Sequence, residues 1–184
     1  TTLAAKANSW LRVRPGKDGE LAMAMIHVML EENIFDAEFT RTWTNGPFLV
    51  RSDNNQLLRE ADVQTGGSTG TWIVWDEPSG APTTQSDHPA LFGTLTVKLA
   101  DDKSIECRPA LQLLKEAAAQ FAPERSEQIT TVPAEEVRKA VRLFAKEKPS
   151  SYCAWVGLEQ DNDAMQTNRA VGIFYALTGQ YDQR

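Results

Sequence analysis

Asp18 closes the stretch RPGKD, separated by Gly19 and Glu20 from Leu21 to Leu30, a run that is apolar apart from His27. An acid in that place has two uses. As an N-cap, its carboxylate accepts from the exposed amides of the first helical turn, worth about 1 kcal/mol. As a binding residue, it accepts a pair of N–H donors from a ligand, with Gly16 and Lys17 offering a close backbone approach at the turn. Guanine presents such a pair at N1 and its exocyclic amine. Adenine places an unprotonated acceptor at that ring position, so a carboxylate there selects guanine. Spacing leaves both readings open.

Gln160 poses a similar choice inside the polar run EQDND, Glu159 to Asp163. A primary amide carries donors and an acceptor together, which suits the mixed edge of a heterocycle, and a merely polar loop uses it as readily. Asp161 and Asp163 alternate as calcium-loop ligands do. The next alternate position is Met165, and no glycine holds position six, so that pattern fails. His27 reads as a core histidine and His88 precedes Pro89 in a loop, so no side chain stands out as general acid, base or nucleophile. Cys107 and Cys153 lie far apart with no second thiol at ligand spacing, which predicts buried free thiols rather than a zinc site or disulfide. QTGGSTG, from Gln64 to Gly70, lacks the Gly-Lys-Ser/Thr ending of a phosphate loop and reads as a turn or linker.

Three zones must position these residues. Gly19 to Glu32 predicts a helix apolar on nearly every side, carrying Met23, Met25 and Met29 and therefore buried, with Asn33 ending it. Asp36 can cap a short helix through Phe39 and Trp43, and TNGP at Thr44 to Pro47 signals a turn. Strands and loops fill the second zone. Thr71 to Trp75 is a short strand stopped by DEPSGAP. In TLTVKLADDKSIECR, Leu95, Val97 and Leu99 alternate with Thr94, Thr96 and Lys98, Asp101 and Asp102 form the turn, and the chain returns through Ile105 and Cys107. That is a β-hairpin with one covered face.

In the third zone Pro109 opens a helix through Leu111, Leu114, Ala117, Ala118 and Phe121 until Pro123 interrupts, and a second helix follows TTVPAEE with Val137, Ala140, Val141 and Phe144 in one stripe. SYCAWVGL, Ser151 to Leu158, reads as a buried strand; the polar loop then leads to a last helix with Val171, Ile173, Phe174 and Leu177, stopped by Gly179. This order predicts part of a doubly wound, Rossmann-like α/β domain, helix-rich, with a β-hairpin insertion. It would be a single incomplete domain: helical over 1–50, strand and hairpin over 51–108, and helix-helix-strand-helix over 109–184. Ligands of such units sit outside the carboxyl ends of the strands, where Gln160 falls.

Charge and hydropathy narrow the partners. With 19 basic against 25 acidic residues the net charge is -6, which argues against a general grip on nucleic acid or anionic lipid. Leu21 to Leu30 is about half the length a membrane crossing needs. No charged n-region followed by an apolar h-region opens the chain, so the compartment stays open.

Three blocks together carry a family likeness: WLRVRPGKDGELAMAMIHVMLEENIFDAEFTRTWTNGPFLV, ITTVPAEEVRKAVRLFA and WVGLEQDNDAMQTNRAVGIFYALTGQYD. In this order they resemble the large molybdopterin oxidoreductases of the dimethyl sulfoxide reductase family, which bind two molybdopterin guanine dinucleotides around molybdenum. The likeness covers 1–50 and 108–182, with the hairpin zone looking like a variable insertion. It implies that Gly16, Lys17 and Asp18 meet the guanosine end of one cofactor, with Lys17 standing where the family usually has threonine. It implies that Val156, Gly157 and Gln160 lie near a pterin, with Asp161 where many relatives have histidine. QTNRA, Gln166 to Ala170, also matches and is assigned to helix entry and packing, with a surface ion pair preferred for Arg169 over a hold on a neighbouring loop or cofactor phosphate.

The family's molybdenum ligand, and the iron-sulfur cysteines of many members, lie upstream of this region. The chain therefore looks like an excised internal segment, inactive alone. The rest of the parent polypeptide, and in some members an electron-transfer subunit, would be its partners, and an exposed sheet edge could pair copies of the segment. The competing expectation is a free-standing α/β interaction or regulatory module without a metal.

Overall fold

Pro15 and Gly16 make the bend that launches the first helix. Gly16 takes φ +75° and the Lys17 amide donates to the Arg14 carbonyl at 3.0 Å, the pattern of a type II turn, which wants proline and then glycine at its centre. The structure, a computed structural model, describes residues 4–160 and 162–181. Its contacts divide the chain into two compact units, one formed by Thr1–Asp36 with Lys115–Arg184, the other by Ala37–Leu114.

The first unit is helical. Helix α1, Asp18–Glu31, packs on α5 (Pro123–Thr130), α6 (Ala134–Lys146) and α7 (Ala164–Leu177). Ala24, Ile26, Val28 and Met29 of α1 have no exposed surface, as expected of a helix apolar on nearly every side. Val132, Val137 and Val141 meet it from α6 and the turn before it, and Ala170, Phe174 and Leu177 from α7. At Gly19 the α1 backbone comes so close to α7 that an added Cβ would stand 2.9 Å from the Thr167 hydroxyl. Asn33, with φ +53°, turns the chain out of α1, and Gly179, with φ +66°, does so after α7. His27 is mostly buried and reaches Glu31 at 3.3 Å.

Arginines on α6 stitch the ends of these helices together. Arg138 reaches Glu124 at 2.8 Å and Glu31 at 3.2 Å, and Arg142 grips Glu32 through a pair of 2.8 Å bonds. The bond from Arg142 holds the Glu32 carboxyl below the usual carboxylate range, and the bond from Arg138 does the same for Glu124. A folded pKa that is depressed gives stability present above the unfolded value and lost as pH falls through the folded one. Melting temperature should therefore decline with acidification from about pH 4.5, the ordinary glutamate value, downward. Thermal melts across that range should show a shallower decline in Arg138→Gln.

The second unit holds α2 (Ala37–Trp43), α3 (Glu60–Val63) and all the strands among the described residues. β1 (Leu49–Arg51), β4 (Leu95–Lys98) and β5 (Ser104–Pro109) form an antiparallel sheet in the order β1-β5-β4, and β2 (Val74–Asp76) pairs with β3 (Ala81–Thr83). The expected hairpin is β4–β5, with Leu95 opposite Cys107 and Val97 opposite Ile105. Its turn contains Asp102 at φ +67°, and Leu49, Leu58, Ile73, Val97 and Cys107 form the core beneath it. Burial pushes the Cys107 thiol up to about 11, which leaves it protonated and unreactive.

The architecture is mixed α/β and helix-rich, as expected, and four local readings change. The strand expected over Ser151–Leu158 is an exposed extended run ending in a 3-10 turn, Val156–Leu158. No strand lies beside it among the described residues of its unit, and a lone strand leaves its amides and carbonyls unpaired. Cys153, expected to be buried, is exposed for the same reason. Pro109 ends β5, and α4 begins one residue later as Ala110–Ala118, running into the 3-10 turn Ala119–Phe121. Pro123 then opens α5, where only an interruption is expected: a proline that interrupts one helix is well suited to the first position of the next.

Candidate functional site

The bend at Gly16 and the first turn of α1 face the first turns of α7 across a cleft of about 680 Å3. Gly16, Gly19, Glu20 and Met23 line one wall, Asp163, Gln166, Thr167 and Arg169 the other, and Phe121 and Ile173 add apolar surface. The close approach at Gly19 brings the walls together. A volume of this order accommodates a ligand of nucleotide size. Neither helix is capped by a side chain: Lys17 stands at the N-cap of α1 and Asp163 at that of α7 without a capping bond. First-turn amides left free in this way favour an anion.

Asp18 is the first residue of α1, not its cap, so the capping reading of its carboxylate fails. It is half-buried, and it does not line this cleft; its neighbours Gly16, Gly19 and Glu20 do. Lys17 is engaged by Glu20 at 2.8 Å. Val156, Gly157 and Gln160 are exposed just ahead of α7 and are not brought into the lining. Gly157 has open space where a Cβ would stand, and Trp155 beside it is 82% exposed. Asp161 lies outside the described residues.

Arg169 corrects another expectation. It has no ion pair among the described residues and lines the cleft instead. Gln166, Arg169, Ala170 and Ile173 share one face of α7 at spacings of three and four, a periodicity visible in the sequence but assigned there to packing. Among the described residues no cluster of histidine, cysteine and acidic side chains could hold a metal ion, and no helix is long and apolar enough to cross a membrane. The lining therefore combines a glycine bend, free first-turn amides, a guanidinium with no ion pair among the described residues, and amide and carboxylate side chains.

Comparison with known proteins defines the class. The chain is 32% identical over 210 aligned residues to the perchlorate reductase subunit alpha of Dechloromonas aromatica (strain RCB), covering 96% of this chain and 23% of that protein. It is 29% identical to the dimethylsulfide dehydrogenase subunit alpha of Rhodovulum sulfidophilum, covering 92% of the chain and 20% of the relative. No family model matches. The acetylene hydratase from Pelobacter acetylenicus superposes with a TM-score of 0.59 at 21% identity, over 99% of this chain and 16% of the other, and this likeness shows the fold alone. In both relatives the likeness runs along nearly the whole of this chain. This chain belongs to the dimethyl sulfoxide reductase family of molybdopterin oxidoreductases, whose enzymes use a molybdenum–bis-pterin cofactor. The chain spans about a fifth of the length of the curated relatives it matches.

Proposed function

We propose that this chain forms part of the wall that holds the guanine dinucleotide form of the molybdenum–bis-pterin cofactor, within the catalytic subunit of an oxidoreductase. The observation that carries the reading is the cleft between the uncapped first turns of α1 and α7, opened by a glycine bend and flanked by Arg169, which has no ion pair among the described residues. When bound, the cofactor supplies the two-electron chemistry, and the protein supplies placement and exclusion of side reactions.

Each residue then has its own task. Gly16 lets a ligand approach the backbone closely. The first-turn amides of α1 and the guanidinium of Arg169 favour phosphate oxygens. Asp18, free of a capping duty, accepts from the N1–H and exocyclic amine of guanine once the ligand fills the space beside the turn, and Gln160 with Val156 and Gly157 borders the pterin. An iron-sulfur centre and an electron-transfer subunit belong to the same proposal for the whole protein.

Asp18→Asn in the full polypeptide tests this. Molybdenum by elemental analysis and guanine nucleotide released on acid treatment should both fall several-fold, with the circular dichroism spectrum and melting temperature unchanged. Unchanged occupancy with a weakened α1 would assign Asp18 to helix stability and end the reading.

A further inference from the structure

TNGP, the turn between α2 and β1, holds the one asparagine–glycine pair in the sequence, Asn45–Gly46. Space demands the glycine: a Cβ there would stand 2.9 Å from Cγ2 of Thr40 and 3.0 Å from Oγ1 of Thr44. Its peptide groups are pinned on both sides. The Thr44 hydroxyl donates to the Thr40 carbonyl at 2.6 Å and accepts from the Gly46 amide at 2.9 Å. The Leu111 amide donates to the Gly46 carbonyl at 2.9 Å, and the Phe48 amide to the Asn45 carbonyl at 3.1 Å.

The Asn45 side chain stands outside this order. The residue is exposed, and its carboxamide makes no hydrogen bond among the described residues. Asn54, by contrast, is held, its carboxamide oxygen accepting from the Gln56 amide at 2.9 Å. A free carboxamide followed by glycine is set for ring closure, because no Cβ obstructs the approach of the next peptide nitrogen to the side-chain Cγ. What holds the reaction back is that nitrogen's own engagement: an N–H directed at the Thr44 hydroxyl is not turned toward the carboxamide.

We propose that Asn45 is a site of self-modification by deamidation, kept latent in the folded unit by the Thr44 hydroxyl and released when the turn opens. The Gly46 nitrogen gives its proton to solvent hydroxide and attacks Cγ of Asn45. The new C–N bond closes a succinimide, and the carboxamide nitrogen leaves as ammonia, taking a proton from water. Water then opens the ring at one carbonyl or the other, leaving aspartate or isoaspartate at position 45, with no oxidant or reductant involved. Isoaspartate carries an extra methylene in the main chain, so the turn cannot keep its bonds to Thr44, Phe48 and Leu111 together. The rate of conversion therefore reports how often this corner of the strand-bearing unit opens locally. The proposal is independent of the cofactor reading and stands whichever way the Asp18→Asn experiment falls.

Incubation of the full polypeptide at mildly alkaline pH tests it, with peptide mapping by mass spectrometry and enzymatic methylation of isoaspartate as the readouts. In guanidinium chloride Asn45 should convert roughly tenfold faster than in the native protein. Thr44→Val should speed native conversion roughly fivefold, the ratio that one hydrogen bond of ordinary strength is worth, and Thr44→Ser should keep the slow rate. Hydrogen exchange in β4 and β5 should be the same in both variants, which separates a lost hydroxyl from a loosened unit. The proposal is overturned if Asn45 stays intact in the denatured chain, or if native and denatured chains convert at one rate. It is equally overturned if Thr44→Val is no faster than the unsubstituted protein, if Thr44→Ser is as fast as Thr44→Val, or if the acceleration comes with lost protection in β4 and β5.

Discussion

Gly179→Ala should destabilise the helical unit by about 2–4 kcal/mol, the sum of a left-handed backbone imposed on a residue with a side chain and an overlap in a packed region. Gly179 sits at φ +66° just beyond the C-cap Thr178 of α7, and its amide donates to the Ala176 carbonyl at 3.0 Å. A Cβ there would stand 2.5 Å from Oδ2 of Asp36, 2.6 Å from its Cγ and 2.7 Å from its Cβ. Asp36 has little freedom to retreat, because its amide donates to the Leu177 carbonyl at 2.8 Å and its carboxylate faces Lys148 at 3.6 Å. The measurement is urea unfolding followed by far-ultraviolet circular dichroism. Asp36→Gly combined with Gly179→Ala should recover the overlap part and leave the backbone part, so the double variant should be more stable than the sum of the single losses predicts.

Ile26→Ala should cost about 2–5 kcal/mol, because its side chain is wholly enclosed and neighbouring helices can only partly collapse into the space left. The loss belongs to the helical unit, so a global unfolding curve is the wrong instrument if the two units melt separately. Native-state hydrogen exchange resolves it: amides of α1 and α7 should lose protection while those of β4 and β5 keep theirs. Equal loss in both would mean that the units unfold as one. Met23→Ala, at the cleft surface, is the control and should cost far less.

Local periodicity made much of this fold readable. The all-round apolarity of α1, the alternation through Leu95 and Val97, the stripe of α6 and the glycine after α7 each depend on neighbours a few positions away, and each stands where the sequence put it. Ser151–Leu158 was misread because bulky β-branched and aromatic residues describe a strand's composition but do not supply its partner. Asp18 was placed one position early, since the amide that closes the turn belongs to Lys17, and a cap differs from a first helical residue by that single step. The cleft was out of reach for another reason. Its walls come from 16–23 and 163–173, and what joins them is the absence of a side chain at Gly19 opposite Thr167, a contact that no local pattern announces.

The order of the chain has a consequence for biosynthesis. Helix α1 emerges from the ribosome before the helices that cover it, which begin at Pro123 and end at Leu177, with the whole strand-bearing unit made in between. At about 5–20 residues per second, a greasy nascent segment waits on the order of 5–30 s for its shelter. A chaperone that attends translating ribosomes should therefore crosslink most strongly to Leu21–Leu30 during that interval, and release it once Leu177 has cleared the exit tunnel.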